Sequence, residues 1–201
     1  MDEPACTLRC AGVQDVPAML DFEQKYFESC WQSIPKVLKS LIQKDPMMFR
    51  LCKVGQKLKG FYGVVPLPYE IWHKVLQGDI KEEEAVSHMV SFKAPEIYLY
   101  VYSVIVDLAD KQHKIYTRAL IRDFARQYVL GQNQKRSNIR AVGAFTVSEG
   151  GRRLVERSNF IYKGGFRGAN GKYVRSYAIR LDNLVQQVKK FRDKRKKILI
   201  A

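Results

Sequence analysis

The ten residues Ile97–Val106, IYLYVYSVIV, constrain the fold more than any other part of this chain. They carry no charge, and their β-branched and aromatic side chains favour an extended backbone. In a strand, Ile97, Leu99, Val101, Ser103 and Ile105 share one face, and Tyr98, Tyr100, Tyr102, Val104 and Val106 share the other. Both faces are largely apolar, which predicts a central strand covered on both sides. A charged turn without glycine follows, then a basic helix from Lys114 to Leu130 that Gly131 can end. Its apolar positions fall near two stripes, Ile115/Ala119/Arg122/Arg126/Val129 and Leu120/Phe124/Tyr128.

The flanking segments build a mixed sheet around that strand. Thr7–Ala11 reads as a short strand. Asp15 and Pro17 then start a helix expected to reach Glu28, and Ser33 and Pro35 start a second that Asp45-Pro46 ends. Phe49–Val54 and Leu58–Val65 read as a hairpin closed by Pro66 and Pro68. Tyr69–Leu76 is a short helix. Asp79 and Glu82 have capping-box spacing, which predicts another helix to about Val90, with Glu82–Glu84 favoured by its dipole. After the central strand and helix come a strand at Ile139–Val147 and a helix capped by Ser148. A hairpin follows, Phe160–Phe166 and Tyr173–Leu181, turning at Asn170-Gly171, and then a basic helix from Asp182. The order predicts a single α/β (α+β) domain over 1–181, with a helical insertion at about 66–94 and a basic C-terminal helix or tail over 182–201.

Charge separates the two halves. Residues 1–110 hold 12 Lys/Arg and 15 Asp/Glu, whereas residues 111–201 hold 23 and 5. That asymmetry points to a polyanion: nucleic acid, an anionic membrane surface or a phosphorylated small molecule. No apolar run is long enough to span a bilayer, and the N-terminus lacks the apolar core of a secretory signal. Cys6, Cys10, Cys30 and Cys52 form no CxxC pair, and the three histidines are far apart, so neither zinc nor a disulfide framework is expected. Reduced thiols and a cytoplasmic setting follow.

Two stretches, taken with this element order, carry a resemblance. Val106–Leu120, VDLADKQHKIYTRAL, lies where a strand hands over to a helix. Gly151–Phe160, GRRLVERSNF, ends a later helix in Asn159-Phe160. Over residues 7–181 the chain resembles the GCN5-related N-acetyltransferase (GNAT) superfamily. The resemblance implies a mixed, mostly antiparallel sheet flanked by helices. It also implies acetyl-CoA or another acyl-CoA as donor, and an amine as acceptor. In the family the first stretch reads about V-x-P-x-[YF]-[RQ]-x-x-G-x-G/A, and its amides hold the coenzyme pyrophosphate at the helix start. Carried over, this implicates Val104 and Val106 on the strand and Lys111, Gln112, Lys114, Ile115, Tyr116, Thr117 and Arg118 after it. The proline and glycines are absent here. Lys111, Lys114 and Arg118 stand in their place and can contact phosphate directly. In the second stretch Leu154 and Phe160 match. Val155 stands at the position of the usual tyrosine acid. Asn159 replaces a glycine, as suits a positive φ.

N-acyl transfer needs an oriented thioester, a neutral amine and a proton acceptor. The candidates are Glu96, at the start of the central strand, Tyr102 and Ser103, nearer its exit end, and Ser148, which also reads as a helix cap. Residues 66–94, with Trp72 and His73, stand where the family shapes its substrate mouth. The tail offers Lys189, Lys190, Arg192, Lys194, Arg195, Lys196 and Lys197, seven cations in nine residues. Such a cluster binds nucleic acid or anionic lipid in a salt-dependent way. The leading reading is an acyl-CoA-dependent N-acyltransferase. The alternative is a GNAT-like scaffold without coenzyme that binds nucleic acid through its basic half.

Overall fold

A computed structural model describes residues 6–130 and 138–198, with the side chains described as far as residue 190. Gly131 and the side chains of Arg192, Lys194, Arg195, Lys196 and Lys197 lie outside the described residues. The fold is mixed α+β. Seven strands form one sheet in the order β1-β2-β3-β4-β5-β7-β6. The strands are β1 (Thr7–Cys10), β2 (Phe49–Val54), β3 (Lys57–Leu67), β4 (Ile97–Val106), β5 (Ile139–Thr146), β6 (Ile161–Arg167) and β7 (Tyr173–Arg180). The helices are α1 (Val16–Gln24), α2 (Pro35–Lys44), α3 (Tyr69–Gln77), α4 (Glu82–Ser87), α5 (His113–Phe124), α6 (Glu149–Arg157) and α7 (Leu181–Ile198). Among the described residues no helix is long and apolar enough to cross a membrane.

The chain folds into two compact units. The first holds the residues up to Val65 together with Val101–Asp123. Here β1, β2 and β3 form an antiparallel meander, and Met19, Phe22, Leu38, Leu41, Ile42, Phe49 and Phe61 are buried. Several polar groups are buried in this unit, among them Glu23, Arg50 and Asp123. Asp123, on the buried face of α5, accepts Arg50 Nε and Nη2 at 2.8 and 2.9 Å and the Tyr62 hydroxyl at 2.8 Å. A buried carboxylate persists only when paired and fully hydrogen-bonded, and this arrangement satisfies both oxygens.

The second unit holds Pro66–Tyr100 and the residues from Phe124 onward. The first four residues of β4 pair parallel with β5, from Ile97–Ile139 to Tyr100–Gly143. β5, β7 and β6 pair antiparallel. Trp72 of α3 packs against this ladder and donates its indole N–H to Leu99 O at 3.0 Å.

Several boundaries differ from the sequence expectations, each because a side chain is committed elsewhere. Asp15 does not cap α1, because its carboxylate takes both Arg9 guanidinium nitrogens and the Gly12 N–H. α1 stops at Gln24, short of Glu28. Ser33 does not cap α2, because its N–H and hydroxyl both donate to the buried Glu23; Ile34 holds the cap position. Pro66 lies inside β3 and does not close it. The β2 ladder ends at Phe49–Gly63, so a residue without an N–H costs no bond there. Asp79 gives its N–H to Lys74 O at the end of α3, and α4 starts at Glu82 and ends at Ser87. α5 buries Tyr116, Leu120 and Asp123, a face that mixes the two expected stripes. A π turn at Ala125–Val129 then shifts the register and buries Tyr128 and Val129.

Replacing Asp123 by Ala leaves the Arg50 charge buried and unpaired and the Tyr62 hydroxyl without this acceptor. The expected cost is about 3–5 kcal/mol, or a Tm lower by roughly 10 °C. The double variant Arg50→Met/Asp123→Leu recovers most of that loss in thermal denaturation. Equal losses in the single and double variants would show that the pair is not the source.

Candidate functional site

The start of α5 is built around one lysine. Where β4 ends, the Asp107 N–H donates to Lys59 O of β3 at 2.9 Å. The Lys59 ammonium lies 3.0 Å from Asp107 Oδ2 and 2.7 Å from Asp110 Oδ2. These three side chains are about one-fifth exposed. The Tyr26 hydroxyl of the loop after α1 donates to Asp107 Oδ1 at 2.9 Å. Gly60, next to Lys59, allows the close approach, because a Cβ there would stand 2.6 Å from the Ile105 carbonyl oxygen.

Asp110 organises the first turn of the helix. Its Oδ1 accepts the Gln112 N–H at 2.8 Å, and its carbonyl accepts the His113 N–H at 3.0 Å. Its Oδ2 lies 3.1 Å from the Tyr116 hydroxyl, which is also 3.0 Å from Gln112 Oε1. Free amides at a helix start attract anions. Here a carboxylate of the chain itself already serves one of them.

The electrostatics follow from these contacts. The Lys59 hydrogen bond, then the Gln112 amide, hold the Asp110 carboxyl below its ordinary range. Burial pushes Asp107 upward, but hydrogen bonds from Lys59 and Tyr26 outweigh it and hold it below the ordinary range as well. Hydrogen bonds that the Lys59 ammonium donates to Asp110 and then Asp107 raise Lys59. Lys59 therefore answers the two carboxylates, leaving Lys111, Lys114 and Arg118, all exposed, to face solvent. Lys114 and Arg118 lie one turn apart on α5 and present two cations on one side of it.

The residues singled out from sequence divide by exposure. On β4, Val104 is 37% exposed near the exit end of a central strand, and Tyr102 is half-buried, its ring edge-on to Phe49 at 5.7 Å. Ser103, on the opposite face, is buried, and its hydroxyl has no hydrogen-bond partner among the described residues. Val106 and Tyr116 are buried, so both pack the core; the Tyr116 hydroxyl braces the Asp110 turn. Ile115 and Thr117 are half-buried, and the Thr117 hydroxyl donates to His113 O at 2.8 Å.

Two further candidates belong to the second unit. Glu96 binds Arg140 Nε and the Tyr98 hydroxyl, each at 3.0 Å. Ser148 caps α6, accepting the Gly151 N–H at 3.1 Å. Asn159 has φ of 54°, as its glycine-like position implied. Sequence reasoning did not find Lys59 or Tyr26. The only signal was two aspartates, three residues apart, opening an otherwise basic segment; nothing local identifies the distant cation they share.

Neither protein-family models nor curated protein sequences match this chain. Solved structures do. The loading GNATL domain of CurA from Lyngbya majuscula aligns with a TM-score of 0.66 over 89% of this chain and 98% of that domain, at 11% identity. The GphF GNAT-like decarboxylase, in complex with isobutyryl-CoA, gives 0.64 over 87% of this chain and 99% of its own, at 12% identity. The chain has the GCN5-related N-acetyltransferase fold. The diaminobutyrate acetyltransferase EctA from Paenibacillus lautus, with coenzyme A and L-2,4-diaminobutyric acid, shares this GNAT fold with a TM-score of 0.55. That match covers 89% of this chain and 96% of EctA, at 9% identity. The β4–α5 junction is thus the local structure of a GNAT scaffold in which Asp110 stands at the helix start.

The Lys59 cluster carries a pH signature. A depressed carboxyl stabilises the fold above its unfolded pKa, and that contribution is lost as pH falls through its folded value. Lys59→Met therefore lowers the Tm at neutral pH, by roughly 3–6 °C for a partly exposed network. The gap to the unsubstituted protein begins to narrow as pH falls below about 4, the unfolded carboxyl value, and closes through the lower folded values of Asp107 and Asp110. Calorimetric melts across this range check it; a gap that is constant down to pH 3 would contradict it.

Proposed function

We propose that this chain binds an acyl-CoA at the β4–α5 junction and transfers its acyl group to an amine. The observation that carries this reading is the exposed Val104 on a central strand that runs into three exposed cations. An apolar side chain on a central strand is normally covered, so the exposure of Val104 near the exit end of β4 invites a ligand that is apolar at one end and anionic at the other. Support also comes from GphF and EctA, which share the fold and hold isobutyryl-CoA and coenzyme A.

In this proposal Lys111, Lys114 and Arg118 hold the phosphates, supplementing the amides that Asp110 does not use. Val104 and Tyr102 border the acyl arm. When bound, the coenzyme supplies an activated thioester, which a neutral amine converts to an amide with release of the thiol. Tyr102, on the same face of β4 as Val104, is the proton donor or relay we assign there, since the Ser103 hydroxyl is buried on the opposite face. Glu96 lies in the second unit, where Arg140 and Tyr98 hold its carboxylate.

One observation favours a second reading. The Asp110 carboxylate already occupies an anion position at the helix start. If it is not displaced, the scaffold binds no coenzyme, and its basic half binds nucleic acid instead.

Isothermal titration calorimetry with acetyl-CoA and isobutyryl-CoA separates the two. The acyltransferase reading expects micromolar binding, weakened roughly tenfold or more by Lys114→Glu/Arg118→Glu, since each phosphate contact is a charge-assisted bond. Absence of heat at millimolar donor, with the fold intact, would remove it.

A further inference from the structure

The hairpin of β6 and β7 carries an unusual surface. Over residues 161–180 it holds Lys163, Arg167, Lys172, Arg175 and Arg180 and no Asp or Glu. Three of the nine exposed large hydrophobic side chains among the described residues lie in it: Ile161 at 55%, Tyr162 at 50% and Tyr173 at 56% exposure. Elsewhere such side chains are scattered singly, which needs no explanation. Ile161 pairs with Ala178 and so belongs to the other face, but Tyr162 and Tyr173 share one face, and two exposed rings side by side mark an interaction face.

The register shows why the rings stand together. Tyr173, Arg175 and Tyr177 alternate along one face of β7, the first two exposed and Tyr177 buried, while Val174, Ser176 and Ala178 are buried on the other. Tyr162 pairs directly with Tyr177, and their rings meet edge-on at 5.7 Å. Gly165 pairs with Arg175. A Cβ at Gly165 would come within 2.6 Å of the Tyr173 ring, so this glycine lets that ring lie down against the strand. The Tyr162 and Tyr173 hydroxyls are 3.0 Å apart. Joined at their tips, the two rings stay about half exposed, with the exposed Arg175 on the same face. One acid adjoins this face: Glu156 of α6, which accepts the Tyr177 hydroxyl and pairs with Arg152.

We propose that this face of the β6–β7 hairpin docks single-stranded nucleic acid, with bases stacking on Tyr162 and Tyr173 and phosphates held by Arg175, Lys163 and Arg167. The proposal rests on the nucleic-acid reading and sharpens it from a basic half of the chain to one surface. Aromatic platforms flanked by cations suit single strands, because every base has a π-face and every linkage a charge. A duplex hides its bases, and an anionic lipid surface offers nothing to stack, so neither uses the tyrosines.

Fluorescence anisotropy of the full chain with short labelled RNA and DNA single strands, a DNA duplex and phosphatidylserine vesicles tests this at low and moderate salt. Single strands are expected to bind more tightly than duplex. Tyr162→Ala/Tyr173→Ala should weaken them about tenfold or more, whereas Tyr162→Phe/Tyr173→Phe should keep binding within about twofold. RNA and DNA arms identify the preferred sugar. Circular dichroism and melting confirm that these surface variants fold. Lys189→Glu/Lys190→Glu separates the tail: binding lost there but unchanged in the Ala variant overturns the hairpin assignment while leaving the nucleic-acid reading. No binding by the unsubstituted chain at low salt overturns both. Vesicle binding that depends on the tyrosines, without single-strand binding, also overturns the proposal.

Discussion

Lys59 is the residue on which the candidate coenzyme site depends. A single ammonium bridges two carboxylates, Asp107 at the end of β4 and Asp110 at the start of α5, and its own strand carbonyl holds Asp107's amide. Without that cation two acids would repel one another at a chain reversal. With it, the reversal needs neither proline nor glycine, and the turn that a GNAT fold usually builds from glycine is built from ion pairs. The consequence is chemical as well as structural. The cluster consumes one helix-start amide and leaves Lys111, Lys114 and Arg118 outward, so whatever anion binds here meets side-chain cations as well as backbone.

The scaffold was largely legible in the sequence, because it rests on patterns with a physical period. Ile97–Val106 could only be a central strand, and the observed strand has those bounds. Ser148 capped its helix, and Asn159 took the left-handed conformation expected of it. Failures came where a side chain served a distant partner. Asp15, Ser33 and Asp79 all carried start signals, and Arg9, Glu23 and the end of α3 respectively took them. The α5 face was misjudged for a related reason. Its buried acid, Asp123, is stable only because Arg50, 73 residues earlier, comes to meet it. No local pattern announces such a pairing.

The site was legible in part. The three cations after β4 were readable, and so was the missing glycine motif. The lysine that braces this turn was not, since its partner Asp107 lies 48 residues away. The tail drew attention through its charge density alone. The structure draws it instead to the β6–β7 hairpin, where fewer cations share a face with exposed rings. Charge counts find polyelectrolyte attraction; alternation along a strand finds a surface with shape. The proposed acyl-CoA site on β4–α5 and the proposed nucleic-acid face on β6–β7 use different residues, so each can be tested without disturbing the other.

The central claim is that the β4–α5 junction holds the coenzyme. Hydrogen exchange with and without saturating acetyl-CoA reads it directly, because the amides concerned belong to a known segment. The account predicts slower exchange concentrated in residues 104–118, from Val104 through the first turns of α5, with little change in α7. Unchanged exchange across 104–118, or protection confined to other segments, would contradict it.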